Sequence, residues 1–272
     1  MLPRQITVCV DDFGMHDGIN QAALDLAGRQ RISAISCMVD GPAWETGSRA
    51  LKHNAFAVEV GLHLNFTEDF GQGLASVPLP KLIVSAHARL LDRAVVRREI
   101  ERQVDLFEST VGCPPDFIDG HQHVHQLPVI REALIDVLDR RAASRKPWLR
   151  ASCPPGRFAR SALSRSARFK SRLIGWLGAS ACSRLARRHG YRQNRHLLGA
   201  YGFDAPEGQY AELLEAWFDS ADAGDILMCH PSVSGPWQDP ILQARHREYG
   251  VLASQAFADL LSRTGFMPGP LA

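Results

Sequence analysis

Short apolar segments of strand length alternate with longer segments of helical periodicity along most of this chain, and this alternation is the feature that most limits its fold. Apolar runs at residues 6–10, 32–39, 55–64 and 226–229 each end near polar side chains, and amphipathic segments separate them. Such alternation predicts a parallel sheet with helices outside it, either open or closed into a barrel. A chain of 272 residues is one large domain or two small ones, and α/β barrels of this length are usually one domain.

The first apolar run ends in two adjacent carboxylates, Asp11 and Asp12. Neighbouring carboxylates repel each other, and a bound cation offsets that repulsion. A turn with a helix N-cap is the alternative, since Asp is common at both positions. That alternative accounts for one Asp more easily than for two, so the pair predicts metal binding or acid–base chemistry.

Histidines occupy the ends of three later strand-like segments. His63 lies near the end of the run at residues 55–64, His230 follows the run at residues 226–229, and residues 119–125 (DGHQHVH) carry three histidines where a short strand passes into a helix. A lone histidine in an apolar run is more often a core residue than a ligand, and the cluster has the alternative reading of a surface loop without a ligand. The carboxyl ends of parallel strands, however, are where catalytic groups collect in βα folds.

Together these groups predict metal-assisted hydrolysis. Two histidines and a carboxylate with open coordination positions suit a catalytic divalent metal that keeps a water molecule. A second carboxylate beside the metal can take the proton of that water, and another histidine can protonate a leaving group. No HExxH, GxSxG or Walker motif offers a competing chemistry.

The charge is unevenly distributed. Residues 140–203 contain no Asp or Glu but hold 16 of the 31 Lys and Arg residues, which leaves the remainder strongly acidic. Between residues 157 and 195, apolar residues recur at four-residue spacing with Arg and Lys among them. This predicts either a helix lying on the domain with a solvated basic face, or a lid that meets an anionic surface such as phosphate groups or lipid headgroups. Aromatic residues are too few here to favour nucleic acid as a partner.

The cysteines and the hydropathy pattern bear on location. The six cysteines show no CxxC spacing and are expected to be buried thiols in a reducing compartment. No run approaches the roughly 18 apolar residues of a membrane span. Because residue 6 already begins a strand-like segment, no signal peptide is expected. The expected location is cytoplasmic.

Four motifs in this order resemble those of the YdjC-like carbohydrate deacetylases, a family that includes chitooligosaccharide deacetylases and proteins associated with hopanoid synthesis. The motifs are residues 11–14 (DDFG), 61–63 (GLH), 119–125 (DGHQHVH) and 228–231 (MCHP). The resemblance covers nearly the whole chain. It implies a distorted (β/α) TIM-like barrel of the polysaccharide-deacetylase type, one divalent metal ion (Mg or Zn), and removal of an acetyl group from an N-acetylated amino sugar or oligosaccharide.

The resemblance also implies roles for individual residues. By position, Asp12, His63 and His121 are similar to the metal ligands of the family. Asp11 matches the general base, and His230 matches the general acid.

Two further residues are expected beside the ligands or against the substrate. Arg150, at the end of a short strand, is similar to an arginine that pairs with the base in related deacetylases, and His125 remains from the histidine cluster. The main departure from the family is a basic helical insertion at about residues 155–196 within an otherwise single domain spanning residues 1–272.

The insertion widens the range of expected partners. An anionic or lipid-linked amino sugar is an expected substrate besides chitooligosaccharides, and the sequence leaves open a peripheral membrane contact through the insertion and a homodimer. A metal-dependent phosphoesterase or other hydrolase on the same barrel is the alternative activity, and a non-catalytic sugar-binding protein is the alternative class.

Overall fold

The computed structural model describes residues 4–53, 57–74, 76–141, 145–155, 165–204, 206 and 208–271. Eight strands lie in this part of the chain: β1 (Arg4–Phe13), β2 (Ala34–Cys37), β3 (Glu59–Leu64), β4 (Phe117–Gly120), β5 (Trp148–Leu149), β6 (Leu197–Leu198), β7 (Ile226–Cys229) and β8 (Phe266–Pro268). The α-helices of the same ranges are α1 (Asp17–Gly28), α2 (Trp44–His53), α3 (Leu79–His87), α4 (Arg93–Val111), α5 (Ile130–Arg140), α6 (Arg165–Ile174), α7 (Ser180–Arg188), α8 (Gln209–Ser220), α9 (Leu242–Leu252) and α10 (Gln255–Thr264).

The strands form one parallel sheet in the order β5-β4-β3-β2-β1-β7-β6, and β8 pairs with the start of β1. The sheet curls so that its two outer strands approach each other. The Leu149 N–H donates to the Arg192 carbonyl at 2.9 Å, and the Leu197 N–H donates to the Cys153 carbonyl at 2.8 Å. The α/β fold with a curled, barrel-like sheet that the alternation predicted is therefore confirmed.

Burial on both faces explains why β1 is the centre of the sheet. Ile6, Val8 and Val10 are inaccessible to solvent, and so is Cys9 on the opposite face. A parallel strand covered by helices on both sides needs a continuous apolar run of this kind. The polar residues that follow each such run consequently stand at one rim of the sheet.

Residues 93–111 carry apolar residues on one stripe with charges opposite, which predicts a long amphipathic helix. The structure has this helix as α4, directly before β4 in the chain. Its N-terminus is capped by Asp92, whose Oδ1 accepts from the Ala94 N–H at 2.8 Å, and it ends at Gly112 with φ of 89°. Ile100 and Phe107 on its inner face are fully buried. The cap and the left-handed glycine fix the ends of the helix, and its apolar stripe fixes the face that it presents to the sheet.

Two predicted elements differ from the structure. The sequence predicts a strand at residues 197–203, and the strand in the structure is only Leu197–Leu198 long. The sequence also predicts one helix at residues 245–263 that closes the packing, and the structure has two helices there, α9 and α10. The Ser254 hydroxyl accepts from the Phe257 N–H at 3.3 Å and starts the second helix. Serine at this position competes with the helical backbone, which the apolar periodicity does not reveal. Residues 55 and 56 of the predicted third strand lie outside the described residues.

The predicted basic helix is two helices, α6 and α7, joined by a wide π-type turn at Gly175–Ala179. Within this turn Gly178 has φ of 123°. The extra residue in the turn shifts the helical register after Ile174, so the four-residue apolar stripe does not continue from α6 into α7 as one face. Phe169 is 64% exposed, and Leu173 is 38% exposed. Residues 156–164 of the expected insertion lie outside the described residues.

Among the helices described, none combines the length and the apolar character needed to cross a membrane.

Candidate active site

The two adjacent carboxylates lie in a β-bulge at the end of β1. Between two regular pairs of β1 with β2, β1 has two residues, Asp11 and Asp12, where β2 has only Ser36. Asp12 has φ of 67°, a left-handed conformation that Asp tolerates better than most residues. In a regular strand the two side chains would point to opposite faces. The bulge instead turns both into the same buried site, which is a common use of bulges.

Asp12 meets two histidines from neighbouring strands. Its Oδ1 is 3.3 Å from Nε2 of His63, at the end of β3, and 2.8 Å from Nδ1 of His121, the first residue after β4. One ligand atom from each residue lies within 4.8 Å of the other two, and all three side chains are buried. A carboxylate and two imidazoles that converge in this way match the donor set of catalytic metal sites.

The contacts of His63 also suit a metal ligand. Its Nδ1 lies 2.6 Å from Oδ1 of Asp119, and the Ser36 hydroxyl donates to the same carboxylate oxygen at 2.5 Å. A carboxylate behind a histidine fixes the ring and leaves the other nitrogen free to bind a metal. In His63 that other nitrogen, Nε2, is the one that faces Asp12.

Neighbouring charges keep the Asp12 carboxylate ionised and the His63 imidazole protonated. Burial opposes ionisation of Asp12, but the nearby His121 and Arg245 lower its pKa well below the ordinary value. Burial likewise opposes protonation of His63, yet Asp119 raises its pKa to about 10. In the metal-free protein the His63 imidazole thus carries a proton at neutral pH that a cation must displace.

Arg150 holds the second carboxylate of the bulge. Its two terminal nitrogens lie 2.6 and 2.7 Å from the two oxygens of Asp11, and Nη2 is also 2.6 Å from Oδ2 of Asp119. All three side chains are buried. Although burial opposes ionisation, the guanidinium lowers the pKa of Asp11 well below its usual range. Asp11 therefore carries its negative charge at neutral pH.

A second group with metal-ligand chemistry, made of Cys9, Asp11 and Asp119, lies beside the first. Nη2 of Arg150 is 3.0 Å from the Cys9 sulfur and hydrogen-bonds both carboxylates of this group. Burial raises the pKa of the Cys9 thiol well above its usual value. The guanidinium already supplies the positive charge here, and the sulfur is not a thiolate, so this group does not suit a metal.

His230 follows β7 and stands next to Asp11. Its Nε2 is 3.9 Å from Oδ2 of Asp11, and its ring packs edge-on against Phe203 with 5.1 Å between centroids. The His230 N–H donates to Oε2 of Glu248 at 2.5 Å, which fixes the backbone of the residue. The predicted base and acid thus lie side by side, separated by slightly more than a hydrogen bond.

The remaining histidines of the cluster point elsewhere. Residues His121–Gln126 form a tight 3-10 turn in which Gln122 and His123 have left-handed φ angles of 52° and 61°. His125 is buried with Nε2 3.1 Å from the Arg150 carbonyl, and burial lowers its pKa to about 4. The structure places His125 behind Arg150, where it supports the backbone of that residue, and brings only His121 to Asp12.

Two residues of the site carry no signal in the sequence. Arg245 in α9 is buried with Nη2 2.8 Å from Oδ2 of Asp12 and Nε 2.7 Å from Oδ2 of Asp239. The sequence predicts this region only as a helix that closes the packing. Glu68 follows β3, and its Oε1 lies 3.3 Å from Nε2 of His121. Asp119 belongs to the DGHQHVH motif, but its contact with Arg150 depends on the fold.

Sequence comparison identifies related proteins. The sequence model described as YdjC-like protein matches residues 5–263. A carbohydrate deacetylase from Homo sapiens is 26% identical over 213 residues, which cover 67% of this chain and 65% of that protein. A chitooligosaccharide deacetylase from Yersinia pestis is 31% identical over 138 residues, which cover 47% of this chain and 53% of that protein. The chain thus spans between about half and two thirds of these relatives' lengths.

Structural comparison bears on the fold alone, because the sequence identities are low. A candidate cellobiose-phosphate cleavage protein from Enterococcus faecalis superposes with a TM-score of 0.72 at 17% identity, over 99% of this chain and 98% of that one. A family 4 carbohydrate esterase from Streptomyces lividans, in complex with acetate, superposes with a TM-score of 0.51 at 11% identity, over 100% of this chain and 95% of that one. The curled parallel sheet is therefore shared with both.

Proposed function

Because the chain belongs to the YdjC-like family, we propose that it is a metal-dependent carbohydrate deacetylase. The reaction is hydrolysis of the acetamide of an N-acetylated amino sugar to acetate and a free amine. One observation carries this proposal: the three donors Asp12, His63 and His121 converge in a buried site with Asp11 and His230 immediately beside them.

The donor set favours a transition metal of the zinc type over magnesium. Imidazole nitrogen is a good ligand for zinc, whereas magnesium prefers oxygen ligands in an octahedron. A divalent cation held by Asp12, His63 and His121 would lower the pKa of a water molecule and polarise the acetyl carbonyl. Asp11 and His230 carry out the proton transfers of the reaction.

Asp11 is the proposed proton acceptor. Arg150 keeps its carboxylate ionised and fixes its orientation through two hydrogen bonds. The proton of the attacking water passes to an oxygen of Asp11. Because its pKa is lowered, Asp11 alone is a weak base, and Arg150 contributes by fixing the carboxylate in the orientation that accepts the proton.

His230 is the proposed proton donor. Its Nε2 faces Asp11 at 3.9 Å, so a small approach or one shared water allows the proton taken by Asp11 to reach the imidazole. The protonated Nε2 then donates to the nitrogen of the departing amine. The C–N bond of the acetamide breaks, and acetate and the amino sugar are released.

The names of the relatives support an acetylated sugar as the substrate class, with a chitooligosaccharide as the first candidate. We extend the proposal to an anionic or lipid-linked amino sugar, because the acid-free stretch at residues 140–203 contains α6 and α7. Both helices contact the His121–Gln126 turn, through the Ile174 carbonyl at the end of α6 and the Cys182 thiol of α7. The six cysteines are free thiols, which supports a reducing, cytoplasmic location.

An acetate-release screen over N-acetylated mono- and oligosaccharides, with and without a chelator, tests the proposal. We expect acetate from at least one sugar, loss of activity with chelator, and recovery when zinc is added back. His63→Ala should abolish release, whereas His87→Ala, at the exposed end of α3, should not change it. Release of phosphate from a sugar phosphate in place of acetate would favour a phosphoesterase. Sugar binding without turnover would favour a binding protein.

A further inference from the structure

Three large apolar side chains stand in solvent along the α6 segment. Phe169 is 64% exposed, Leu173 is 38% exposed, and Trp176 is 77% exposed. Phe169 and Leu173 lie one turn apart on α6, and Trp176 follows three residues later at the start of the wide turn. We call these three side chains the apolar patch. Three of the eight most exposed large apolar residues in the described chain thus fall within eight positions, and such clusters mark interaction sites.

The opposite face of the segment is fixed to the catalytic half of the molecule. Ala167, Ser171 and Ile174 are buried beneath it. The side-chain amide of Gln126 donates to the Ile174 carbonyl at 2.8 Å, and Gln126 ends the turn that begins with His121. The apolar patch is therefore the outer side of an anchored helix, and the helix lies directly against the turn that supplies a proposed metal ligand.

Basic side chains surround the apolar patch without compensating acids. Lys170 and Arg172 alternate with the patch residues along α6 and are exposed. Neither forms an ion pair with any acidic side chain in the described ranges, and the stretch from residue 140 to residue 203 contains no acid.

The excess of positive charge continues in α7 and the segment after it. A cleft of about 720 Å³ there has no acidic residue in its lining, which includes the basic residues Arg184, Arg187, Arg192 and Arg195. The basic character is therefore a property of the whole segment and not of one helix.

We propose that the apolar patch and its flanking basic residues are a docking surface for an anionic lipid bilayer. Aromatic and leucine side chains among Lys and Arg are typical of helices that lie in the membrane interface, where the rings enter the headgroup layer and the cations meet lipid phosphates. Aromatic and arginine side chains also occur at protein interfaces, but the run of cations without an acid favours the phosphates of an anionic lipid layer. Docking in this way places the turn of His121 behind the helix, about one helix diameter of 10 Å from the membrane surface.

Vesicle co-sedimentation tests this surface with the full chain. We expect the protein to bind vesicles of phosphatidylcholine mixed with phosphatidylglycerol, not to bind phosphatidylcholine alone, and to be released by salt. Phe169→Ser with Trp176→Ser should lower the partition coefficient at least about tenfold. Lys170→Gln with Arg172→Gln should lower it about fivefold for each charge removed.

A matched control tests whether vesicle binding needs the apolar patch or only an exposed aromatic side chain anywhere on the protein. Trp237→Ser removes a tryptophan that is 85% exposed but lies outside the basic segment, and it should bind vesicles as the wild type does. All replaced side chains are exposed, so the thermal unfolding midpoint should stay unchanged and serves as the check on folding.

Three results would overturn the proposal: no binding of the wild type to anionic vesicles at low salt, equal loss of binding in Trp237→Ser, or unaltered binding of the Phe169/Trp176 double variant. A wild-type dimer that this double variant converts to a monomer, in the absence of vesicle binding, would assign the patch to self-association instead. None of these results depends on catalytic activity.

Discussion

Replacing Arg150 with methionine is expected to destabilise the protein by several kcal/mol, and the loss should depend on pH in a defined direction. The guanidinium lies within 2.6–2.7 Å of oxygens from two buried carboxylates, Asp11 and Asp119. Methionine keeps an unbranched apolar stem of similar shape but removes the charge. Asp11 then faces Asp119 without the guanidinium between them, and the protonated His63 beside Asp119 is the cation that remains.

Two estimates give the same magnitude. Removal of one partner from a buried ion pair typically costs about 3–5 kcal/mol. Separately, without the guanidinium both burial and the neighbouring carboxylate raise the pKa of Asp11. Each unit of that rise costs about 1.4 kcal/mol at a pH above the folded pKa, so this effect has the same sign and the same order of magnitude as the lost ion pair.

The sign of the pH dependence distinguishes this cause from lost packing. In the wild type the pKa of Asp11 is lower in the folded than in the unfolded protein. The Asp11–Arg150 ion pair therefore stabilises the fold at any pH above the unfolded pKa. This stabilisation is lost as the pH falls through the folded pKa. In Arg150→Met the folded pKa lies above the unfolded one. The loss of stability is then complete at about pH 8 and becomes smaller toward about pH 5, because Asp11 takes up a proton in the folded variant.

Urea denaturation with chelator present, followed by circular dichroism at about pH 8 and about pH 5, measures both quantities. Arg93→Met is the control, since its ion pair with Asp136 at the surface should contribute less than about 1 kcal/mol. A difference between Arg150→Met and the wild type below about 1 kcal/mol at about pH 8, or one that does not narrow at about pH 5, would refute the assigned role of Arg150.

Three further predictions concern catalysis and metal binding. Asp11→Asn should lower kcat by about 10²–10⁴-fold with metal content unchanged, and wild-type turnover would remove Asp11 from the mechanism. His230→Ala should lower kcat by a similar factor, and added imidazole should restore part of the rate; no rescue and an unchanged rate would reject its role as acid. Zinc affinity should rise from about pH 6 to about pH 8, because Asp119, against the effect of burial, raises the pKa of His63 to about 10. Calorimetry in buffers of different ionisation enthalpy should detect the released proton, and pH-independent affinity would contradict this.

The sequence is sufficient to predict the elements that depend on local pattern. The apolar runs before Asp11 and His230 are buried strands, and the amphipathic stripe of α4 packs inward as its periodicity predicts. The order of polar groups at the strand ends is visible in the sequence as well, because parallel strands bring their carboxyl ends to one rim. The structure accordingly brings His63 and His121 to Asp12.

Contacts between distant segments have no comparable signal. Arg245 reaches Asp12 across 233 positions of the chain, and nothing in its local pattern separates it from a surface arginine of an amphipathic helix. The apolar stripe that begins at Phe169 fails as a prediction for another reason. One wide turn around Gly178 rotates the register, and periodicity alone cannot detect an inserted residue.

The central claim is that Asp12, His63 and His121 bind a single cation, and anomalous X-ray scattering from crystals of the zinc-loaded protein tests it most directly. We predict one zinc peak per chain, with an oxygen of Asp12 and one nitrogen each of His63 and His121 at about 2.0–2.2 Å. The absence of a peak at these side chains after zinc loading, or a peak bound by other residues, would contradict the claim.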